Sequence, residues 1–392
     1  MKKIFSYTKR FISETDKPLL LLIIATSVFG VLMVFSATRW ELPEGELISR
    51  DAKVMALAAV LGIVGALIIS AFDYDLIMKL WPFIGLFCIA LMVLTLLIGA
   101  APEERPDSKC WLQFGSIYFQ SSELVKIGFI ITYAMHLELC RDSINTARSV
   151  ILLGVHAAIP IGLVVLTGDM GSALVFIFIA LGMLFFAGLH FGFFACGAIT
   201  AIAASPLIWM FVFSDYQKNR FLALIKPEDF PDESFQQLRG LNALGSGGFF
   251  GRGLLKGAYT QAGAVPASEN DMIFSVVGEE TGFFGCLIAL VLLFLIVWEM
   301  FRIGKNSREF SAQLACYGMA VLITAQVIIN LGMCLMVLPV IGITLPFFSA
   351  GGSSTLCLYV GIGLVFSIYR YNRSREVVNF RLSKISTPFS EF

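Results

Sequence analysis

The chain has 392 residues, of which 57% are hydrophobic and only 14% charged, and its mean hydropathy is +0.83. A soluble domain usually carries about 25% charged residues, so this composition excludes an ordinary soluble protein and indicates an integral membrane protein surrounded by membrane lipids. The formal net charge is +0, so nothing points to a nucleic-acid partner.

Apolar runs of about 20 residues, the length that spans a bilayer, recur along the chain. After a polar, basic segment at residues 1–17, we predict ten transmembrane helices at 18–38, 54–71, 79–99, 121–140, 149–166, 171–189, 192–213, 273–301, 311–338 and 352–370. The expected fold class is therefore an all-α polytopic membrane protein, with residues 1–392 forming a single membrane domain.

Lys and Arg are distributed unevenly between the two sets of loops. One set includes the tail 1–17 and the tail 371–392. If Arg370 is counted with the second tail, this set holds 16 of the 28 basic residues. The short loops of the opposite set, 39–53 and 100–120, hold only five. Because cytoplasmic loops carry the excess of Lys and Arg, we expect both termini to be cytoplasmic.

The same topology places the long segment 214–272 outside the cell. It contains aromatic residues, charges of both signs and a glycine-rich run at 245–257, which favours an ordered lid over a linker. The run lacks the GxxxxGK[ST] order of a P-loop. Two possibilities stay open: its N–H groups hold a pyrophosphate together with Arg252 and Lys256, or it is a turn between interfacial helices.

Cysteine and histidine give no metal signature. The eight cysteines show no CxxC spacing, and the three histidines are far apart in sequence. We therefore expect most of them to be structural residues, and we predict no metal site built from protein ligands.

Charged residues inside apolar spans are costly and often functional. Glu123 and Lys126 are three residues apart, so they can meet on one face of a helix. They form either a structural ion pair or a site for an anionic headgroup, with Glu123 holding Lys126 in place.

Other polar residues lie at the outer ends of predicted spans. Asp169 can cap the helix that follows it or line a polar cavity. Lys218 and Arg220 can extend to the membrane interface or bind phosphates.

Asp271 is the strongest catalytic candidate from the residues alone. It precedes an apolar helix in a segment that also carries Glu269, Glu279 and Glu280. A carboxylate in a partly dry site can accept a proton from a substrate hydroxyl. Glu279 is a candidate for substrate binding. The simpler alternatives are a helix cap or a loop carboxylate for Asp271, and packing against Lys or Arg for Glu279 and Glu280.

Four blocks in the same order and topology resemble the SEDS family (shape, elongation, division and sporulation), whose members include RodA, FtsW and SpoVE. The blocks are Trp111…Gly115…Gln120-Ser-Ser-Glu123-Leu-Val-Lys126, Gly168-Asp-Met-Gly-Ser-Ala-Leu-Val175, Asn219-Arg-Phe-Leu through Ile273-Phe-Ser-Val-Val-Gly-Glu-Glu280, and Asn330-Leu-Gly-Met…Leu338-Pro-Val-Ile-Gly-Ile-Thr-Leu-Pro-Phe-Phe-Ser-Ala-Gly-Gly-Ser-Ser354. The likeness covers nearly the whole chain and is closer to RodA than to FtsW.

The resemblance implies a peptidoglycan glycosyltransferase that polymerises lipid II in the bacterial cytoplasmic membrane, for cell elongation and shape or for division. It places Asp271 at the family's essential loop aspartate and matches Glu123 and Lys126 to the family's Glu/Lys pair. It matches Asp169 to the aspartate of the family's Gln-Pro-Asp-Leu-Gly-Thr block. It also adds Ser349 and Ser353 as substrate-binding candidates. The implied partner is a class B penicillin-binding protein with one membrane helix.

Three departures from the family pattern concern residues beside these positions. The usual Gln-Pro-Ser-Glu is Gln-Ser-Ser-Glu123, the usual His-Thr-Asp is Glu269-Asn270-Asp271, and the usual tyrosine of Phe-Ile-Ser-Tyr-Gly-Gly is Ala350. The catalytic carboxylate is retained while its neighbours change charge and size.

The implied chemistry is inverting transfer. Asp271 takes the proton of the acceptor sugar's 4-hydroxyl, which attacks the anomeric carbon of the donor while the pyrophosphate leaves as an anion. Because that leaving group needs positive charge more than a proton, a second acid is not required. Candidate sources of charge are Lys126, Arg50, Arg220, Lys256 and a divalent cation such as Mg²⁺ or Mn²⁺.

Two other functions are compatible with the same residues. A lipid II flippase or transporter would use the cavity to move lipid, and a non-catalytic membrane scaffold would only hold a cell-wall transpeptidase.

Overall fold

A computed structural model describes residues 15–43, 45–101, 108–115 and 117–386, with side chains up to residue 373 except those of residues 114 and 117. The predicted tail 1–17 lies outside these residues except for its last three. The helices are α1 (Lys17–Ala37), α2 (Arg50–Ile69), α3 (Tyr74–Lys79), α4 (Trp81–Ile98), α5 (Ser121–Leu139), α6 (Ala147–Leu166), α7 (Met170–Phe186), α8 (Phe191–Phe211), α9 (Asp215–Ile225), α10 (Pro231–Ser246), α11 (Ala258–Gln261), α12 (Ile273–Lys305), α13 (Phe310–Cys334) and α14 (Gly352–Ser386).

The protein is an all-α polytopic membrane protein, as predicted. Within the described residues, eight helices are long and apolar enough to cross a membrane. The other two predicted spans are present as α5, which carries three charged residues, and α7, which has only 17 residues. Each of the ten predicted spans thus has a corresponding helix.

The boundaries differ from the predictions in three places. The span predicted at 79–99 begins after the separate short helix α3, because Pro82 favours the first turn of a new helix. The loop predicted at 100–120 contains an antiparallel hairpin, β1 (Trp111–Phe114) and β2 (Ile117–Gln120). The last helix continues to Ser386, so most of the predicted tail 371–392 is helical.

Contacts between helix ends fix the arrangement of the bundle. The Arg302 guanidinium pairs with the Asp16 carboxylate, and Asn372 Nδ2 donates to Ser307 Oγ at 3.1 Å, so both described chain ends lie at one end of the bundle. At the opposite end, Ser36 Oγ donates to Glu280 Oε2 at 2.6 Å. Asp271 lies close to Glu280 in sequence and therefore lies at the end opposite both described chain ends.

The centre of the bundle is formed by α13, which packs against α12, α7 and α5, while α14 packs along α2. Small and apolar residues of α13, such as Ala315, Gly318, Met319 and Ile323, are buried there. By contrast, α8 has no buried residue along its length. The bundle therefore combines a tightly packed centre with one peripheral span.

The outer segment predicted at 214–272 is ordered and contains α9, α10 and α11. Gln237 Nε2 donates to the carbonyl oxygens of Met333 at 2.8 Å and Leu338 at 2.7 Å, which fixes α10 on the end of α13. The prediction of an ordered segment is thus confirmed.

The long helix α12 is interrupted at Gly282, whose φ of 67° and ψ of −165° are not helical. The interruption frees carbonyl oxygens, and the glycine-rich run docks there: Arg252 N donates to Glu279 O at 3.0 Å and Gly253 N to Glu280 O at 2.9 Å. A Cβ at Gly282 would lie 2.3 Å from Gly251 N, so only glycine fits. These two N–H groups serve protein carbonyls and are not available to a pyrophosphate.

Candidate active site

Asp271 immediately precedes α12 and is partly exposed. Its carbonyl oxygen accepts a hydrogen bond from Asn330 Nδ2 at 2.8 Å and a weaker contact from Cys334 Sγ at 3.7 Å. Both donors belong to the last turns of α13, the central helix. The backbone of the predicted base is therefore attached to the most rigid part of the bundle.

The two residues before Asp271 are held in the same way. Ser349 Oγ donates to Asn270 O at 2.7 Å, and Ala350 N donates to Glu269 O at 2.8 Å. Three successive carbonyl groups are thus fixed by α13 and by the segment that leads into α14. Such support holds a side chain in one position, which catalysis requires.

Glu123 and Lys126 form the ion pair that their spacing predicts. Lys126 Nζ lies 2.7 Å from Glu123 Oε1, the lysine is fully buried, and the glutamate is 9% exposed. In a buried ion pair each partner compensates the charge of the other. Lys126 therefore presents little net positive charge to a ligand.

A cavity lies between α5, α13, α14 and the segment 344–349. Its polar lining residues are Glu123, Gln326, Thr344, Ser349, Ser354 and Thr355. The space in it that is open to water is about 10 Å³, which is room for about one water molecule. Ser349 joins the cavity to the segment that holds Asp271, because the same hydroxyl lines the cavity and binds Asn270.

Asp169 takes the capping role. Its Oδ1 accepts from Ser172 N at 2.9 Å, and its Oδ2 accepts from Gln120 Nε2 at 2.7 Å and from Ser122 Oγ at 3.2 Å. Asp169 therefore caps α7 and links it to the start of α5. Contact of Asp169 with substrate stays a prediction.

Glu279 is fully buried away from the cavity lining. Its carboxylate accepts from Tyr259 N at 2.7 Å, Thr260 N at 2.9 Å and Thr260 Oγ1 at 2.7 Å. Glu280 accepts from Ser36 Oγ, as described, and from Gln261 Nε2 at 3.2 Å. Both glutamates attach the outer segment to α12, and neither forms the Lys or Arg pair considered from the sequence. Substrate binding by Glu279 stays a prediction.

The predicted basic residues have different surroundings. Arg50 and Lys256 are exposed, and Lys218 Nζ pairs with Asp215 Oδ1 at 3.3 Å. The guanidinium of Arg220 donates to Val340 O and to the hydroxyl of Tyr216, so it attaches α9 to the segment after α13. Arg220 thus has a structural role beside the predicted one.

The two serine candidates, Ser349 and Ser353, differ in their position relative to the cavity. Ser349 lines the cavity, but its hydroxyl both donates to Asn270 O and accepts from Leu345 N at 2.8 Å. Ser353 is not among the lining residues, whereas the adjacent Ser354 and Thr355 are. Substrate binding by Ser349 and Ser353 stays a prediction.

Glu269 is the acid that replaces a histidine of the family pattern. Burial raises the pKa of its carboxyl group, and the nearby carboxylates of Glu41, Asp51 and Asp271 raise it further, although a backbone hydrogen bond acts in the opposite direction. The rim of the site is therefore acidic.

Sequence reasoning missed Asn330, Gln326, Thr344 and Thr355. Asn330 and Gln326 lie four residues apart in an otherwise apolar span, and polar residues in such a span are themselves a signal of function. Asn330 supports Asp271, and Gln326 faces the cavity.

A divalent cation stays a prediction. Among the described residues, no group of three or more His, Cys, Asp or Glu side chains is arranged to hold a metal ion. We assign no residue as a metal ligand.

Curated relatives match this chain over almost their whole length. It is 29% identical over 363 residues to the peptidoglycan glycosyltransferase MrdB of Escherichia coli K12, covering 91% of this chain and 94% of that protein. It is 29% identical over 367 residues to the stage V sporulation protein E of Bacillus subtilis, covering 92% and 99%. It is 32% identical over 369 residues to a probable peptidoglycan glycosyltransferase FtsW of Thiomicrospira cyclica, covering 90% and 91%.

Solved structures agree with this likeness. One comes from work described as the structural coordination of polymerization and crosslinking by a peptidoglycan synthase complex; it has a TM-score of 0.76 at 27% identity and covers 91% of this chain and 98% of that chain. Another is the rod shape determining protein RodA of Thermus thermophilus, with a TM-score of 0.67 at 25% identity and coverages of 91% and 97%.

The family model for FtsW, RodA and SpoVE, described as "Cell cycle protein", matches residues 17–374. That range includes the acidic rim, the buried Glu123–Lys126 pair and all ten long helices up to residue 374. This chain therefore belongs to the FtsW/RodA/SpoVE family of cell cycle proteins, the SEDS family.

Proposed function

We propose that this chain is a peptidoglycan glycosyltransferase that polymerises lipid II, with Asp271 as its general base. The observation that carries the proposal is the position of Asp271: its backbone is fixed by Asn330, its side chain is partly exposed, and the preceding residue Asn270 is bonded to Ser349, which lines a polar cavity. The names of the curated relatives support the same activity.

The reaction joins two lipid-linked saccharides at the outer membrane surface. Asp271 accepts the proton of the acceptor's 4-hydroxyl as its oxygen forms a bond to the donor's anomeric carbon. The bond from that carbon to the pyrophosphate oxygen breaks, and the pyrophosphate leaves with the electron pair. Attack from the opposite face inverts the anomeric centre.

Positive charge for the leaving pyrophosphate comes from an exposed lysine and not from the buried pair. Lys126 is already neutralised by Glu123, whereas Lys256 is exposed at the same end of the bundle as Asp271. A divalent cation can supply additional charge there; chelation with EDTA followed by addition of Mg²⁺ or Mn²⁺ tests for it.

The cavity must widen before a disaccharide binds, since it now has room for about one water. Its wall at 344–349 lies outside the helices and includes Phe347 in a left-handed conformation, with φ of 67°. This wall is the part of the site that can move without breaking a helix.

The proposal also covers location and partner. The excess of Lys and Arg on the side of the chain ends favours cytoplasmic termini in the bacterial cytoplasmic membrane. A related chain is described within a synthase complex that coordinates polymerization and crosslinking. By this likeness, the partner of this chain is a class B penicillin-binding protein with transpeptidase activity.

The test is polymerisation of fluorescent lipid II by the purified protein, alone and with its transpeptidase partner. Asp271→Asn keeps the shape of the side chain but removes the base, and we expect glycan synthesis to fall about 10²- to 10⁴-fold. Asp229→Asn, in the same outer segment but at an exposed aspartate near Lys226, is the matched control and keeps full activity.

Other outcomes identify the alternatives. Movement of labelled lipid across vesicles without polymer from the wild type would indicate a flippase. Full cell-shape function of Asp271→Asn, with no polymer from either protein, would indicate a scaffold. Either result overturns the proposal.

A further inference from the structure

Gln326 is a buried amide in the central membrane helix α13. It lies on α13 one turn before Asn330, so the two side chains share a face of the helix. The Asn330 amide donates to two backbone carbonyls, those of Asp271 and Ile343, each at 2.8 Å. Within the described residues, the Gln326 amide makes no hydrogen bond, although the residue is only 5% exposed.

Polar groups inside a membrane are costly and are seldom retained without a function. The nitrogen and oxygen of Gln326 are not among the fully buried polar atoms without a partner, and the residue lines the cavity that Ser349 connects to Asn270. A ligand in that cavity would therefore find an amide group that is ready to bind it.

The neighbouring groups define the kind of ligand. Ser349 and Ser354 use their hydroxyls on protein backbone atoms, and the Glu123–Lys126 pair is internally neutralised. What the cavity offers is the Gln326 amide, the hydroxyls of Thr344 and Thr355, and the second carboxylate oxygen of Glu123. This set both donates and accepts hydrogen bonds and has no net positive charge.

We infer that Gln326 binds the saccharide of the lipid-linked substrate through a sugar hydroxyl or acetamido group. An amide donates and accepts at once, as those groups do, whereas a pyrophosphate carries only acceptors and requires cations. The inference rests on the proposed function and adds the sugar subsite to it: the saccharide lies against α13, and the pyrophosphate lies toward the exposed Lys256.

The test measures binding, not turnover. Purified wild type and Gln326→Leu are titrated with lipid II and, separately, with undecaprenyl pyrophosphate, which carries no sugar. We expect Gln326→Leu to bind lipid II about tenfold more weakly, the loss of about one hydrogen bond, and to bind undecaprenyl pyrophosphate as the wild type does. Gln326→Asn, which keeps the amide on a shorter side chain, should fall between the two.

A second glutamine provides the control for folding. Gln237 is also buried, at 1% exposed, but donates to two carbonyls. Gln237→Leu should therefore lower the thermal unfolding midpoint, whereas Gln326→Leu should leave it unchanged or raise it, because no protein hydrogen bond is lost.

The outcomes separate the two claims. Unchanged lipid II affinity in Gln326→Leu, an equal loss of affinity for both ligands, or a loss of stability like that of Gln237→Leu would overturn the role of Gln326 and leave the proposed function standing. Failure of the wild type to bind lipid II at all would overturn the proposed function, and this inference with it.

Discussion

Two membrane helices of nearly equal mean hydropathy, α13 and α8, have opposite surroundings. In α13, 67% of the apolar window is buried inside the protein, whereas in α8 the share is 0%. Hydropathy reports only that a segment prefers lipid to water, and lipid chains satisfy an apolar side chain as well as another helix does. The difference therefore comes from specific contacts and not from hydropathy.

Close contacts account for the packing of α13. A Cβ at Gly318 would lie 2.8 Å from Ile130 Cγ2 and from Met183 Sδ, so the glycine permits α5 and α7 to approach. Gly197 in α8 has no neighbouring heavy atom within 4 Å of the same position. The packed helix carries Asn330 and Gln326, and the peripheral one carries none of the site.

The largest effect should come from the contact that joins α13 to Asp271. Asn330→Ala leaves two buried carbonyls without a donor, which costs about 1–3 kcal/mol each. The freed Asp271 would move, and a shift of about 1 Å can lower the rate about 10²-fold. Lipid II polymerisation measures the effect, with Asn306→Ala, exposed at the other end of the bundle, as the control. Wild-type activity in Asn330→Ala would show that α13 does not position the base.

A matched pair of glycine substitutions tests the packing difference itself. Gly318→Val should lose about 1–3 kcal/mol of stability, because the added methyl groups overlap Ile130 and Met183. Gly197→Val should change stability by less than about 0.5 kcal/mol. Thermal unfolding in one detergent gives both values. Equal losses would mean that α8 is as tightly packed as α13.

A smaller effect, on the pH dependence of stability, tests whether the burial seen along α13 extends to Glu269 at the acidic rim. The raised pKa of Glu269 means that ionisation disfavours the folded state, so the penalty is absent below the ordinary pKa of 4.5 and present above the raised one. Glu269→Gln removes the penalty. Its unfolding midpoint should equal that of the wild type at low pH and exceed it slightly as pH rises through the raised pKa.

Exposed Glu228 provides the control, since Glu228→Gln makes the same substitution elsewhere in the outer segment. A midpoint difference for Glu269→Gln that does not change with pH would contradict the burial of the Glu269 carboxyl group.

The sequence predicted the features that depend on local pattern. Spans follow from apolar runs, the Glu123–Lys126 pair follows from a three-residue spacing, and the cap at Asp169 follows from its position before a helix. It could not predict the contacts between distant residues. Ser36 and Glu280, or Gln237 and Met333, meet only in the folded bundle, and no local pattern distinguishes the unpacked α8 from the buried α13.

The site shows the same division. Asp271 was identified from its sequence environment, whereas the support by Asn330 and Ser349 required the tertiary structure. Glu279 was expected to bind substrate because carboxylates near lipid suggest function. Its observed ligands are backbone N–H groups of the outer segment, and that arrangement leaves no trace in the sequence around residue 279.

The interruption of α12 at Gly282 also separates the part of the helix that is long enough to span the hydrocarbon layer from the part before it. Residues 283–305 form a continuous helix about 35 Å long at 1.5 Å per residue, which by itself exceeds the bilayer's hydrocarbon thickness of about 30 Å. The nine residues before the interruption are thus not needed to span the bilayer, although a hydropathy profile would assign Glu279 and Glu280 among them to the membrane. Asp271 precedes these nine residues and lies at the end away from the long part of α12.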